Sequence, residues 1–257
     1  MQKEYEKFAT STTFEGMTSV RAILKGVDAG TNDRQITSIL YDIAKTSKIS
    51  KEIGYLRAVS QKYGFEVVES TTLELEKLAL GNTHGGIIAL AGERTIPYLE
   101  PKHIISGGFY AMIDGIEDPY NFGYSLRSLY ACGCDGIILG ERNWMSAAGI
   151  VCRSSAGASE MFNVYKSTDD STIRIFKDAG YSIVCADERT DDVLGEVTIP
   201  RSILLVVGGE RRGISKDMLS VADMKIKIPY AREFRASLSA ASATTMFAYE
   251  IMRQRRT

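Results

Sequence analysis

Gly108-Phe109-Tyr110-Ala111-Met112-Ile113, then Asp118-Pro119-Tyr120-Asn121-Phe122-Gly123, then Arg127: on these residues turns the reading of the whole chain. The first run is apolar enough for a buried strand. Asp, Pro, Asn and Gly then punctuate the chain as a turn does. Tyr124-Ser125-Leu126-Arg127-Ser128-Leu129-Tyr130-Ala131 resumes with helical periodicity. Strand, polar turn and a helix with an inward-reaching Arg127 put an amide and a guanidinium at the carboxyl end of a sheet, where open α/β sheets bind ligands. An ordinary βα turn with a surface arginine looks the same, and alone these residues favour that plainer account.

Working outward, further strands are predicted over 136–139, 160–164, 181–186, 202–208 and 224–228, with helices between them and a last helix over about 239–253. Such alternation argues an α/β chain with a parallel, doubly wound sheet. Toward the amino terminus, residues 32–43 read as a strand leading into polar loop, 65–68 and 87–90 as strands. Residues 50–63 read as an amphipathic helix with Ser50 as its N-cap, and 71–80 as a helix ended by Gly81. The seam at 92–101 holds two of the five prolines and reads as a linker. It divides the chain into an amino-terminal α/β domain, 1–100, and a carboxy-terminal domain, 101–257.

The 257 residues are 44% hydrophobic and 25% charged, the balance of a soluble globular chain. A formal net charge of -1 counts against a chain-wide grip on nucleic acid, because phosphate neutralisation dominates such binding. Local clustering of charge, or a dimer, would restore it. Cys132, Cys134, Cys152 and Cys185 make no C-x-x-C pair, and with only His84 and His103 no His/Cys metal cluster is expected. Reduced thiols, a charged start at Met1-Gln2-Lys3-Glu4 and the lack of an apolar run near ~20 residues lead to the expectation of a cytoplasmic protein without membrane spans.

Three more constellations stand out. Leu204-Leu205-Val206-Val207-Gly208-Gly209-Glu210-Arg211-Arg212-Gly213-Ile214-Ser215 is a buried strand running into a glycine-rich turn. Ile214 stands where a phosphate-binding loop needs lysine, and G-x-G-x-x-G is absent, so neither an NTPase nor a nicotinamide site is supported. A tight turn with a solvated Glu-Arg-Arg tip accounts for it equally well. Ile228-Pro229-Tyr230, then Ser237-Leu238-Ser239-Ala240-Ala241-Ser242-Ala243, leads into a helix of small residues, with Ser237 or Ser239 as its N-cap. Arg153-Ser154-Ser155-Ala156-Gly157-Ala158 is another small-residue turn.

In this order and spacing the four resemble the SpoU (TrmH-type) branch of the SPOUT methyltransferases, from about Phe109 to Arg253. The resemblance implies a carboxy-terminal domain folded as a deep trefoil knot around a parallel sheet. It implies S-adenosylmethionine as cofactor, methyl transfer to a ribose 2′-hydroxyl of rRNA or tRNA, and a homodimer without metal. Asn82-Thr83-His84-Gly85-Gly86-Ile87-Ile88-Ala89 is similar to the last strand of the family's amino-terminal RNA-binding domain, and a plain turn at His84 explains it as well.

By the same resemblance, backbone groups around Leu205, Gly208, Gly209, Gly213, Ile228, Ser237 and Leu238 hold the cofactor. Arg127 orients the ribose and stabilises its developing oxyanion, since an arginine stays protonated and is a poor base. Asn121, Glu210 and Ser239 complete the catalytic set, and Arg127 pairing structurally with Glu210 is the competing role. Ser155, Arg211, Arg212, Arg232 and Arg235 are the candidates for RNA contact, with solvated surface as the alternative. The chain departs from the family where Asn and Ser usually follow the Ser-Leu pair: it has Ser239 and Ala241. The segment from Pro229 to Ser237 is also one residue longer and lacks a glycine. These departures keep open a catalytically silent RNA-binding dimer, and a base-modifying SPOUT enzyme stays as a further alternative.

Overall fold

Two sheets organise the protein, each in its own unit of the chain. The computed structural model describes residues 13–81, 84–140, 147–209, 213–234 and 236–256. One unit takes the described residues of Met1–Thr95 and Trp144–Met161, the other those of Ile96–Asn143 and Phe162–Thr257. Among the described residues no helix is long and apolar enough to cross a membrane.

In the first unit β1 (Thr13–Glu15), β2 (Ile36–Asp42), β3 (Glu66–Ser70) and β4 (Ile87–Ala91) form a sheet in the order β1-β4-β2-β3, with β2 and β3 parallel and the other pairs antiparallel. Helix α1 (Gly16–Asp28) buries Val20, Ile23 and Leu24 against Phe14, Ile39 and Ala89. Each such side chain contributes about 1.5–3 kcal/mol when fully buried. Helix α2 (Ser50–Tyr63) starts at Ser50 itself. Ile49 holds the N-cap position, where its hydrocarbon side chain offers no acceptor to the helix amides, and its own N–H donates to Lys45 O at 3.1 Å. Helix α3 (Thr72–Leu78) opens on a capping box between Thr71 and Glu74, which satisfies two otherwise orphaned amides. His84 is buried in the turn before β4, where its Nδ1 accepts the Gly86 N–H at 3.2 Å.

The second unit carries β5 (Phe109–Asp114), β6 (Gly136–Leu139), β7 (Val164–Lys166), β8 (Ser182–Ala186), β9 (Ile203–Gly208) and β10 (Met224–Ile226). They lie in the order β10-β8-β9-β5-β6-β7, every pair parallel. A parallel sheet is covered on both faces, and so its strands read as unbroken apolar runs: residues 203–207 of β9 are all buried. Tyr110, Met112, Phe176, Ile183, Leu204 and Val206 form the core of one face.

Helix α4 (Pro119–Ala131) corrects the turn expected over 118–123. Asp118 is the N-cap, its carboxylate accepting from the Tyr120 and Asn121 amides, and Pro119 occupies the first helical position. The polar punctuation is a helix start. Likewise, the strand expected over 160–164 is two elements. After α5 (Ala148–Ser154) comes α6 (Ala158–Met161), and the strand begins only at Val164. Helices α5 and α6 belong to the first unit, a second segment that a single cut near residue 100 leaves with the carboxy-terminal part. Gly26 of α1 packs so closely there that a Cβ would lie 2.1 Å from the Glu160 carbonyl oxygen. Helices α7 (Asp169–Asp178) and α8 (Lys216–Ser220) and the terminal α9 (Ala240–Arg255) complete the second unit.

Candidate active site

Because the six strands of the second unit run parallel, their carboxyl ends share one edge, the edge at which such sheets bind ligands. Just beyond the ends of β8, β9 and β10 lies a cavity of about 610 Å³, within the size range of small-molecule sites. Ala186, Asp187, Glu188 and Arg189 line it from β8, Gly208, Gly209 and Gly213 from β9, and Lys227, Ile228, Pro229 and Tyr230 from β10. Ser237, Leu238 and the first turns of α9, through Ala240, Ala243 and Phe247, complete the wall.

Close approach explains the paired glycines. A Cβ on Gly208 would sit 2.5 Å from Gly213 C and Ile214 N, and one on Gly209 would sit 2.1 Å from Gly115 O. The glycine turn is held from β5. The Gly209 N–H donates to Asp114 O at 2.6 Å, and the Ser215 N–H donates to Asp114 Oδ2 at 3.1 Å. Ser215 Oγ donates to Asp169 Oδ2 at 2.6 Å and accepts the Met218 N–H, capping α8. On the opposite wall Asp187 Oδ1 accepts from the Arg189 backbone N–H (3.1 Å) and Nε (3.3 Å). Just inside, burial pushes the Cys185 thiol up to about 12, which leaves it protonated and inert.

Six of the seven residues expected to hold a cofactor meet here: Gly208, Gly209, Gly213, Ile228, Ser237 and Leu238 all line the cavity. Leu205 does not. It is fully buried in the middle of β9, where its backbone pairs with β5 and β8. The Leu238 amide already has a partner, donating to Tyr230 Oη at 3.1 Å. Ser239 is the N-cap of α9, its Oγ accepting the Ser242 N–H at 3.1 Å. Asn121 lies in the first turn of α4, and its carbonyl accepts from Ser125 Oγ. Arg127 is exposed on the same helix, six residues on. Helices α4 and α9 pack together, with Ser128 Oγ and Thr245 Oγ1 2.6 Å apart.

Of the expected RNA contacts, Arg232 is exposed. Ser155 belongs to the first unit and is 1% exposed. Its hydroxyl donates to Cys152 O and accepts the Ser159 N–H, so it is spent on the local turn. Glu210, Arg211, Arg212 and Arg235 lie outside the described residues. Sequence reasoning passed over Asp187, Glu188, Arg189, Tyr230 and Phe234 as site residues. The signal for the first three was present, a charged triplet directly after a strand predicted to end at the same parallel edge.

Comparison with known proteins fits this architecture. An uncharacterized tRNA/rRNA methyltransferase of Mycolicibacterium gilvum is 29% identical over 201 residues, and the match spans 75% of this chain and 63% of that protein. Two solved structures superpose on nearly all of the chain. An RNA 2′-O ribose methyltransferase has a TM-score of 0.73 at 20% identity, over 99% of this chain and 96% of that one. An AdoMet-bound rRNA methyltransferase from Sinorhizobium meliloti has a TM-score of 0.76 at 20% identity, over 98% and 90%. At such identity these likenesses establish the α/β fold. The model of the SpoU rRNA methylase family matches residues 108–249, more than half of the chain and all of the strands that build the cavity. The chain therefore belongs to the SpoU rRNA methylase family.

Proposed function

We propose that the second unit binds S-adenosylmethionine in this cavity and transfers its methyl group to a ribose 2′-hydroxyl of rRNA or tRNA, with the first unit gripping the RNA. The observation that carries the reading is the convergence of residues far apart in sequence, Gly208, Gly209, Gly213, Ile228, Ser237 and Leu238, on one cavity of about 610 Å³. The cradle fits the cofactor: Cβ atoms at Gly208 and Gly209 would collide with neighbouring backbone, so main chain rather than side chains forms the floor. When bound, the cofactor supplies a methyl group already activated by its sulfonium. The likeness to a ribose 2′-O enzyme and to an AdoMet-bound relative supports the choice of acceptor and donor.

The chain's own contribution is positioning and charge. Arg127, exposed and without an ion pair among the described residues, orients the ribose and stabilises the oxyanion as the hydroxyl proton passes to a phosphate oxygen of the RNA. Asn121, one helical turn and a half earlier, and Glu210 arrange that arginine. The trefoil knot belongs to this proposal, as membership of the SpoU family implies it. So does the homodimer. Tyr120 and Tyr124 of α4 and Met246 and Tyr249 of α9 are 39%, 49%, 42% and 57% exposed, a large apolar face for a soluble chain to leave bare.

A silent RNA-binding dimer is the second reading, and one observation favours it: the Leu238 amide is already paired with Tyr230 Oη. Calorimetry with S-adenosylmethionine separates the two. Binding supports the enzyme, and no heat at millimolar cofactor sinks it. Mapping of 2′-O-methyl groups in RNA from cells with and without the gene then names the target nucleotide.

A further inference from the structure

The segment that departs from the family places two aromatic rings at the cavity. Tyr230 and Phe234 both line it, with ring centroids 6.1 Å apart and planes tilted by 57°. The tilt means that no single planar ligand can stack on both. Tyr230 is anchored, its hydroxyl accepting the Leu238 N–H across eight residues of chain, so its ring holds the shape of the loop. Phe234 makes no such bond. It is 59% exposed, far more than the buried Val207, Ile214, Ile226 and Phe247 that form the inner wall. A phenylalanine left that open at the rim of a cavity lacks its partner surface.

Resting on the methyltransferase reading, we propose that Phe234 is a stacking platform for the base of the RNA nucleotide that presents its ribose to the cavity, and that Tyr230 is the positioning residue that holds the platform. Methyl transfer needs the acceptor to arrive at the open side of a cavity whose interior holds the donor. The rim is where an unstacked base meets the protein. Proteins that take single-stranded RNA stack its bases on aromatic side chains and track the phosphates with basic ones. The exposed Arg232 lies two residues before Phe234 in the same loop.

The test uses the full chain, S-adenosylmethionine and total RNA from cells lacking the gene. Cofactor affinity is read by calorimetry, and kcat and KM for RNA by transfer of a tritiated methyl group. Phe234→Leu is expected to lower kcat/KM for RNA by about five-fold to a hundred-fold, the range of one base–aromatic stack, with cofactor affinity kept within two-fold. Phe234→Trp, which restores a flat ring, is expected to recover it. Tyr230→Phe is expected to raise KM for RNA with less effect on kcat. An equal loss of cofactor affinity in Phe234→Leu would assign the ring to adenine and overturn the proposal. Unchanged kcat/KM in Phe234→Leu would overturn it as well. A wild-type chain that binds no cofactor fails the methyltransferase reading itself, and this inference falls with it.

Discussion

Arg34 Nε lies 2.9 Å from Glu160 Oε2, with both side chains 4% exposed, and so joins residues 126 apart within the first unit. Asn32 Nδ2 donates to the same oxygen at 2.7 Å, and the guanidinium lies 4.6 Å from the centre of the Phe14 ring. Arg94 adds a bond from Nη1 to Ser159 O at 2.7 Å. Together these fix α6 to the part of the unit that comes from the first 95 residues. A buried charge stripped of its partner is expensive, whereas replacing both members with apolar groups is often neutral. Arg34→Met is therefore expected to destabilise the protein by about 3–5 kcal/mol. Arg34→Met combined with Glu160→Leu is expected to recover only part of that, as read by urea denaturation, because Asn32 Nδ2 and the buried Arg94 also lose the Glu160 carboxylate.

Arg127 gives the opposite outcome. It is exposed and has no ion pair among the described residues, so Arg127→Ala is expected to leave thermal stability within about 0.5 kcal/mol of the wild type. Methyl transfer is expected to fall by about 100-fold or more, the loss typical of one oxyanion-stabilising donor. Cofactor affinity is expected to hold. Undiminished methylation by this variant would remove Arg127 from the mechanism.

Gly209→Ala tests the main-chain floor of the cavity. The added methyl would lie 2.1 Å from Gly115 O and 2.4 Å from Gly115 C, rigid backbone that cannot swing aside. Overpacking of this kind costs about 1–3 kcal/mol, and here the displaced turn is part of the cofactor site. Calorimetry is expected to show cofactor binding lost while circular dichroism shows the fold retained.

Asp223 carries a pH dependence. Burial alone would raise its carboxyl, but the Lys177 ammonium and the Ile183 N–H, 2.7 Å away, outweigh it and hold the group below the usual carboxylate range. A carboxyl depressed in the folded state stabilises the fold above its unfolded value, about 3.9, and loses that contribution as pH falls through the lower folded value. The gap in melting temperature between wild type and Asp223→Asn is expected to be constant from pH 7 to about 5 and to shrink steadily as pH falls below the unfolded value of about 3.9. A gap that persists in acid would contradict the ion pair as its source.

The thiols supply a check on burial. Cys152 and Cys185 are pushed up to about 12 and Cys134 is pushed up as well, all chiefly by burial, while Cys132 is part-exposed. Because the thiolate is the reactive form, iodoacetamide at pH 8 is expected to label Cys132 alone in the native protein and all four cysteines in urea. Mass spectrometry of the digested protein reads the sites.

Much was legible without coordinates, and for identifiable reasons. The strands over 109–113, 136–139 and 202–208 were recognised because a parallel strand buried on both faces has to be apolar throughout. The glycine turn after β9 and the Ser237-Leu238 approach to the last helix were recognised as a set because their order resembled one family. The start of α4 was misread as a turn, since Asp and Pro serve an N-cap and a turn equally well, and only the continuing bonds decide between them. Glu160 was misassigned to a strand because its partner, Arg34, is 126 residues distant.

By itself, then, the sequence determined the alternation of strands and helices, the parallel character of the second sheet and the residues that its carboxyl edge offers, since each follows from local composition and period. Only the tertiary structure decided where α5 and α6 belong, that Asp187 and Phe234 face the same cavity as Gly208, and that Tyr230 closes on Leu238. Those relations depend on which backbones approach within a few ångströms after folding. Chain separation hides that from any local pattern.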